Sequence, residues 1–136
     1  MSQLCSLAKL QILNVSKNNL VSIPIELCTS LKNIVELILD DNQLTSLPNE
    51  FGQLKKLKAL SLKNNCLSGS DTPQSIPSSV FADTPVIDLN LSGNKITSAE
   101  LNEFNGFDQF LERRKKVKNK DLAGFDQLNG AAICGL

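Results

Sequence analysis

The residues of this sequence that could act as acids, bases or nucleophiles are carboxylates, lysines and cysteines, because the chain contains no histidine and no tyrosine. Without histidine, the usual triads and zinc protease sites are excluded. The adjacent Asp40 and Asp41 would diverge in a strand rather than flank one bond. Cys66 has no base beside it in the sequence, and such a thiol is usually inert. We therefore predict that the protein is not an enzyme and holds no metal or cofactor.

Asparagines recur at a spacing that indicates a structural role. They lie 24, 23 and 29 residues apart, and each takes the ninth place of a run whose first, fourth and sixth places are apolar. The runs read LQILNVSKNNL, IVELILDDNQL, LKALSLKNNCL and VIDLNLSGNKI. Their ladder asparagines are Asn18, Asn42, Asn65 and Asn94. Copies in phase predict leucine-rich repeats, which are about 20–29 residues long.

Each run predicts one short strand. Alternate side chains of a strand point to opposite faces, so the leucines build the core and the residues between them face outward. The asparagine at the following turn can satisfy backbone groups of the neighbouring coil that would otherwise be buried unpaired. We therefore predict an α/β fold, a right-handed leucine-rich-repeat solenoid of about four repeats over residues 1–97, with parallel concave strands.

Proline-containing segments are expected on the convex side of this solenoid. Pro24 and Pro48 cannot join a strand ladder, so each starts the convex half of its coil. A longer insertion at residues 68–85 holds three prolines and suits an irregular loop with one helical turn near residues 78–82. That insertion is either a tolerated surface loop or a docking loop.

Beyond the last repeat the pattern becomes helical. Residues 97–100 form a capping box that can satisfy the first free amides of a helix. Apolar residues over 101–111 then recur at helical spacing, so one helix face can cover the open end of the last coil. We predict a C-terminal capping helix over residues 98–120 with a basic end, followed by a mobile tail over 121–136.

Positive charge is concentrated at the end of this helix. The basic residues are Arg113, Arg114, Lys115, Lys116, Lys118 and Lys120. They suit a solvated helix end, where cations complement the helix dipole, or a nuclear-localisation signal or patch for an acidic partner. Nucleic-acid binding is the least favoured interpretation, because no aromatic residue that could stack on bases lies within the run.

Several segments resemble those of a known group of proteins. NNCL at 64–67, PQSI at 73–76, SGN at 92–94 and NGFDQFLERRKKVKNK at 105–120 are similar to the animal leucine-rich-repeat-containing fifty-seven family. The links of the form LxxLP resemble the intracellular plant Ras-group leucine-rich-repeat proteins. The resemblance implies a cytosolic, non-enzymatic interaction solenoid whose partner is another protein.

Outward-facing strand positions are the candidate partner-binding residues, because packing does not use them. They are Ile12, Asn14, Ser16, Lys17, Glu36, Ile38, Asp40, Asp41, Ala59, Ser61, Lys63, Asn64, Asp88, Asn90, Ser92 and Gly93. Glu36, Asp40 and Asp88 predict an acidic centre, and Ile12 and Ile38 predict an exposed apolar spot. A protein partner with basic and apolar groups fits best. The alternatives are a merely solvated face, or a nuclear or nucleic-acid-associated protein that uses residues 113–120.

Charge and hydropathy restrict the environment of the chain. Lys+Arg and Asp+Glu are both 14, so no global field draws the molecule to nucleic acid or an anionic membrane. No apolar stretch approaches the ~20 residues that a membrane span needs. The N-terminal sequence does not indicate secretion, so we expect reduced cysteines and a cytoplasmic location, with the nucleus as an alternative.

The first coil is expected to leave an uncovered edge. It begins at about Leu4 or Leu7 with no amphipathic capping segment before it. The residues expected to face no neighbouring repeat are Leu7, Leu10, Leu13 and Val15. We expect one of two outcomes: the chain is the C-terminal part of a longer protein, or it associates edge to edge through its first strand.

Overall fold

The parallel strands form one sheet. The computed structural model describes residues 8–68 and 75–121, with backbone only from residue 117. The strands are β1 (Ile12–Asn14), β2 (Glu36–Ile38), β3 (Ala59–Ser61) and β4 (Asp88–Asn90), and the sheet order is β1-β2-β3-β4. The register aligns the inward residues Leu13, Leu37, Leu60 and Leu89. The predicted solenoid of parallel strands is confirmed.

Short helices form the convex side. They are α1 (Ile25–Ser30), a 3₁₀ helix (Asn49–Gln53) and α2 (Ser78–Ala82). Each is preceded by a proline with φ between −61° and −73°, a value that starts a helix without strain. The helical turn expected within the insertion is confirmed as α2.

The core lies between the sheet and these helices. Each of β2 to β4 contains one inward leucine, and a second leucine follows directly after the strand. All six are 3% exposed or less: Leu37, Leu39, Leu60, Leu62, Leu89 and Leu91. Phe51 closes the core from the convex side and is fully buried. In the first coil, Leu13 and Val15 are only partly buried. Burial therefore depends on a neighbouring coil or cap on each side.

The predicted capping helix begins at Ser98 but is divided into α3 (Ser98–Asn102) and α4 (Phe107–Asp121). The capping box is formed: the Glu100 amide donates to Thr97 Oγ1 at 3.2 Å, and the Thr97 amide donates to Glu100 Oε1 at 2.9 Å. Gly106 has a φ of 90°, and a Cβ there would lie 3.0 Å from the Ser78 carbonyl oxygen. The expectation of one continuous helix was wrong, because the chain must turn where it passes α2.

Helix α4 caps the last coil through an aromatic cluster. The Phe81 ring meets Phe107 at 5.5 Å and Phe110 at 6.1 Å, both edge to face, and all three rings are buried. None of the helices in the described part of the chain combines the length and apolarity needed to cross a bilayer. The predicted mobile tail lies outside the described residues, except for residue 121, which ends α4.

Candidate functional site

The concave face of the sheet carries a groove over β2, β3 and β4. Its volume is about 290 Å³, and Arg114 of α4 lines it together with residues of these three strands. The strand register places Glu36, Ala59 and Asp88 in one row across the sheet. Because Ala59 is small and its neighbours are long, the row forms a depression with a carboxylate on each side.

Two of the three carboxylates expected to make this face acidic are held by neighbours within the chain. Asp40 Oδ1 accepts hydrogen bonds from Ser61 Oγ at 2.6 Å and from the Lys63 amide at 3.0 Å. Asp88 Oδ1 lies 3.1 Å from Arg114 Nη1 in an ion pair. The described residues provide no hydrogen-bond or ion-pair partner for the Glu36 carboxylate. Asp40 keeps its charge because both of its donors are neutral, whereas Arg114 offsets the charge of Asp88, so Glu36 and Asp40 remain the acidic groups of this face.

The apolar spot expected on this face is present in part. Ile12 is 62% exposed at the open edge of the sheet, whereas Ile38 on β2 is half-buried. Ile38 shares its row with Asn14, Ser61 and Asn90, which are polar. The groove therefore combines a narrow apolar strip with polar sides.

Four of the expected face residues lie in tight turns just after the strands. Lys17, Asp41, Asn64 and Gly93 have φ values of 60°, 56°, 57° and 79°, in the left-handed region. Asn64 Nδ2 also donates to Asp41 Oδ1 at 2.8 Å. Asparagine, aspartate and glycine tolerate this backbone, whereas lysine is strained in it. These residues shape the rim of the face.

Asparagine side chains near the rim also accept hydrogen bonds from residues two positions later in the same coil. Asn14 Oδ1 accepts a hydrogen bond from the Ser16 amide at 3.0 Å. Asn90 Oδ1 accepts from the Ser92 amide at 3.1 Å and from Ser92 Oγ at 2.9 Å. The side chains of Asn14, Asn90 and Ser92 stabilise the strand ends, so fewer of the expected residues are available to a partner than the sequence pattern indicated.

The ladder asparagines connect adjacent coils. Asn42 Oδ1 accepts from the Asn18 and Leu20 amides at 2.9 and 3.0 Å, and Asn42 Nδ2 donates to the Val15 carbonyl at 3.2 Å. Asn65 and Asn94 make equivalent bonds to the coil before them. Asn18, in the first coil, is exposed, and within the described residues its Nδ2 donates only to carbonyls of its own coil.

The basic residues at 113–116 fall into two groups, arginines that contact the rest of the chain and lysines that are exposed. Arg113 donates from Nε to the Val86 carbonyl and from Nη2 to the Phe81 carbonyl, both at 2.8 Å. Arg114 Nη1 donates to the Ile87 carbonyl at 2.7 Å. Burial lowers the pKa of the Arg113 guanidinium from its usual value. The two arginines bind the last coil, so the solvated interpretation does not hold for them.

The sequence contains a signal for these arginine contacts. Arg113 and Arg114 follow Phe110 by three and four positions, which places them on the same helix face as a buried ring. Lys115 and Lys116 are exposed. The side chains of Lys118 and Lys120 lie outside the described residues.

Among the described residues, no cluster of three or more potential metal ligands occurs. Cys28 and Cys66 are free thiols. Burial, aided by nearby Glu50, raises the pKa of the Cys28 thiol to about 12, so this thiol stays protonated at neutral pH. It is therefore a core residue and a poor nucleophile.

Comparisons with known proteins agree with this geometry. A profile of the family "Leucine rich repeat" matches residues 8–67. A leucine-rich-repeat protein of Leptospira interrogans, of known structure, superposes with a TM-score of 0.62 at 30% identity, over 85% of this chain and 26% of that one. The fold is a leucine-rich-repeat solenoid. Bovine osteomodulin is 37% identical over 71% of this chain, and chicken lumican is 32% identical over 87% of it.

The similarity to longer proteins covers only part of them. The chain spans 21% of osteomodulin and 32% of lumican. The probable serine/threonine-protein kinase pats1 of Dictyostelium discoideum is 38% identical over 71% of this chain, but that region is 3% of pats1. This match concerns the repeats and carries no kinase assignment to the chain.

Proposed function

We propose that the chain is a protein-binding module that recognises its partner on the concave face. The observation that carries this proposal is the groove at Ala59, flanked by the Asp88–Arg114 ion pair and by the Glu36 carboxylate, which has no partner among the described residues. The Glu36 and Ala59 side chains face the groove rather than the core. Leucine-rich repeats present such strand faces as extended concave binding surfaces.

The groove favours a partner segment with one basic side chain beside an apolar one. The stem of a lysine or arginine fits over Ala59, and its charged head can pair with Glu36. An aliphatic or aromatic side chain can cover Ile38 and extend toward Ile12. A densely basic partner fits less well than the sequence pattern indicated, because Asp88 is already paired with Arg114.

Affinity capture with the intact chain tests this proposal. The Ala59→Arg variant fills the groove from a half-buried strand position, and Glu36→Arg reverses the charge beside it. Gln53→Arg, on the exposed convex side, is the matched control for an added arginine. Proteins bound by the wild type and by Gln53→Arg should be lost from both groove variants. Binding that survives Ala59→Arg would reject the concave face as the site.

The role is proposed to be non-catalytic and the compartment cytoplasmic. The protonated thiol of Cys28 supports the first point. The segment at 105–120 supports relationship to the intracellular groups it resembles. The nucleic-acid alternative is not favoured, because the carbonyls of the last coil occupy both arginines of the basic run. A fluorescent fusion of the intact chain tests the location.

A further inference from the structure

Among the described side chains that line the concave groove, Arg114 is the one cation. It belongs to α4 and not to a repeat, so the cap supplies part of the surface to which we assign partner binding. Arg113, the preceding residue, lies outside the groove and binds the Val86 and Phe81 carbonyls. The two neighbouring arginines therefore occupy different surroundings, and their roles can be separated by substitution.

The guanidinium of Arg114 is held in place, but its hydrogen-bonding capacity is not used up. Its Nη1 donates to the Ile87 carbonyl at 2.7 Å and to Asp88 Oδ1 at 3.1 Å. A guanidinium carries five N–H donors, and among the described residues only those of Nη1 have acceptors. The Arg114 side chain is 15% exposed. A further acceptor can therefore bind it without releasing it from the last coil.

Asp88 neutralises Arg114 only in part. The ion pair is a single 3.1 Å contact rather than a two-bond fork, and the Asp88 side chain is 57% exposed. Water screens such an exposed pair, so its attraction is weak. A carboxylate from a partner can add to Asp88 or compete with it for the same guanidinium.

Opposite charges lie at the two ends of the row that crosses the groove. Glu36 is on β2, Ala59 follows on β3, and Asp88 with Arg114 is at the β4 end. Neighbouring strands are about 4.8 Å apart, so the two ends are separated by about 10 Å. One charged group cannot contact both ends. Two side chains that extend in opposite directions from a backbone over Ala59 can do so.

We propose that the groove recognises a protein segment with a basic and an acidic side chain close together, the basic group on Glu36 and the carboxylate on Arg114. This inference rests on the proposed binding function of the concave face and adds Arg114 as the residue that determines specificity. A guanidinium can donate two parallel hydrogen bonds to a carboxylate. Because the Ile87 carbonyl already orders Arg114, little side-chain freedom is lost on binding.

Arg114 also acts against other partners. A segment with only basic residues would place a cation beside the guanidinium, and a segment with only acidic residues would place a carboxylate beside Glu36. Both arrangements bring like charges together, which disfavours binding. The groove therefore selects the order of charges along the partner rather than its net charge.

Selection from a phage-displayed library of random short peptides tests the proposal. Peptides that bind the intact wild-type chain are kept only if they fail to bind Ala59→Arg, which fills the groove. We expect the kept peptides to share one basic and one acidic residue at a fixed spacing. Changing that acidic residue to its amide should weaken binding to the wild type about tenfold or more, because a charge-assisted hydrogen bond is lost.

Three variants locate the contact of the acidic residue. Arg114→Met should bind a kept peptide and its amide form equally weakly. Arg113→Met, the matched loss of a cap arginine outside the groove, should still distinguish the two peptides. Asp88→Asn should bind the acidic peptide severalfold more tightly than the wild type does, because Arg114 loses its competing carboxylate. Thermal melting sets an assay temperature at which every variant is folded.

The outcomes separate this inference from the binding function on which it rests. Kept peptides without a shared acidic position would overturn the role of Arg114 and leave the concave site intact. Equal discrimination by Arg114→Met and the wild type would do the same. Weaker binding to Asp88→Asn would also contradict it, because Asp88 would then contact a basic group itself. If every selected peptide binds Ala59→Arg as well as the wild type, the concave site is rejected together with this inference.

Discussion

The two edge strands of the sheet, β1 and β4, differ in what covers them. At β4, elements outside the repeats cover the edge: α4 packs its rings on Phe81, and Arg113 and Arg114 bind backbone carbonyls of the last coil. At β1, the described residues leave apolar side chains and backbone groups exposed. Identical repeat patterns therefore have different surroundings, because a cap requires residues that the repeat itself does not contain.

The difference is visible in equivalent residues. Leu13 of β1 and Leu37 of β2 are paired in the sheet, yet Leu37 is 1% exposed and Leu13 is only partly buried. A leucine in the repeat pattern supplies an apolar side chain, but its contribution to stability depends on whether a neighbouring coil or cap buries it on each side. Substitutions at matched positions of different coils can therefore measure what a neighbouring coil contributes.

The largest expected effect is on the core leucines. Leu60→Ala should lower the free energy of unfolding by about 2–5 kcal/mol, because it leaves a cavity in a closed core. Leu13→Ala, in dilute solution, should cost about half as much or less, since part of that side chain is already in water. Chemical denaturation measures both. Equal losses would mean that the first coil is covered in the monomer and would remove the contrast between the ends.

The ladder asparagines should show the next largest contrast. Asn42→Leu should destabilise by about 2–3 kcal/mol despite its added apolar surface, because buried amides and carbonyls lose their partners. Asn18→Leu should cost about 1 kcal/mol or less, since the exposed Asn18 carboxamide forms hydrogen bonds only within its own coil among the described residues. Thermal melting compares the two variants. A similar shift for both would show that the asparagine acts mainly inside its own turn.

The cap can be weakened at one arginine. Arg113→Met keeps the length of the side chain but removes its donors to Val86 and Phe81, and should cost about 1–3 kcal/mol. Lys116→Met is the matched control on the exposed side of α4 and should change stability by about 0.5 kcal/mol or less. Denaturation curves that treat the two substitutions alike would contradict the clamping role of Arg113.

The smallest expected effect concerns the turn after β1. Lys17 has a φ of 60°, and the equivalent residue of the fourth coil is Gly93. Lys17→Gly should raise the free energy of unfolding by about 0.5 kcal/mol, because glycine relieves the left-handed strain at some cost in chain entropy. Lys63→Gly, one residue before the left-handed position of the third coil, should destabilise instead. A stabilising Lys63→Gly would refute this explanation.

The repeat pattern predicts the solenoid well because its information is local. Apolar alternation and a fixed asparagine place Leu37, Leu60 and Leu89 in the same register that the sheet adopts. The start of α3 was equally predictable from the sequence, since a capping box needs only residues 97–100. The end of α3 was not predictable in this way, because the chain turns at Gly106 where it packs closely against Ser78, which is distant in the sequence.

The candidate site was less predictable for the same reason. Exposure of the strand face follows from alternation, but the availability of each side chain depends on partners in other coils. Asp40 is held by Ser61, and Asp88 is held by Arg114, a separation of 26 residues for the second pair. A count of charged residues along the sequence treats both carboxylates as available to a partner. The periodicity from Phe110 to Arg114 was the one local sign that the basic run turns back toward the sheet.

The position of the cap in the chain has a consequence for synthesis. Every coil is translated before α4, and the Arg113 guanidinium binds a carbonyl 27 residues earlier. On the ribosome, the coils can therefore pair in order as they emerge, while the outer side of β4 stays open until residues 107–114 have left the exit tunnel. For that interval the outer edge of β4 stays unpaired in the nascent chain, so the last coil completes its packing only when the cap arrives.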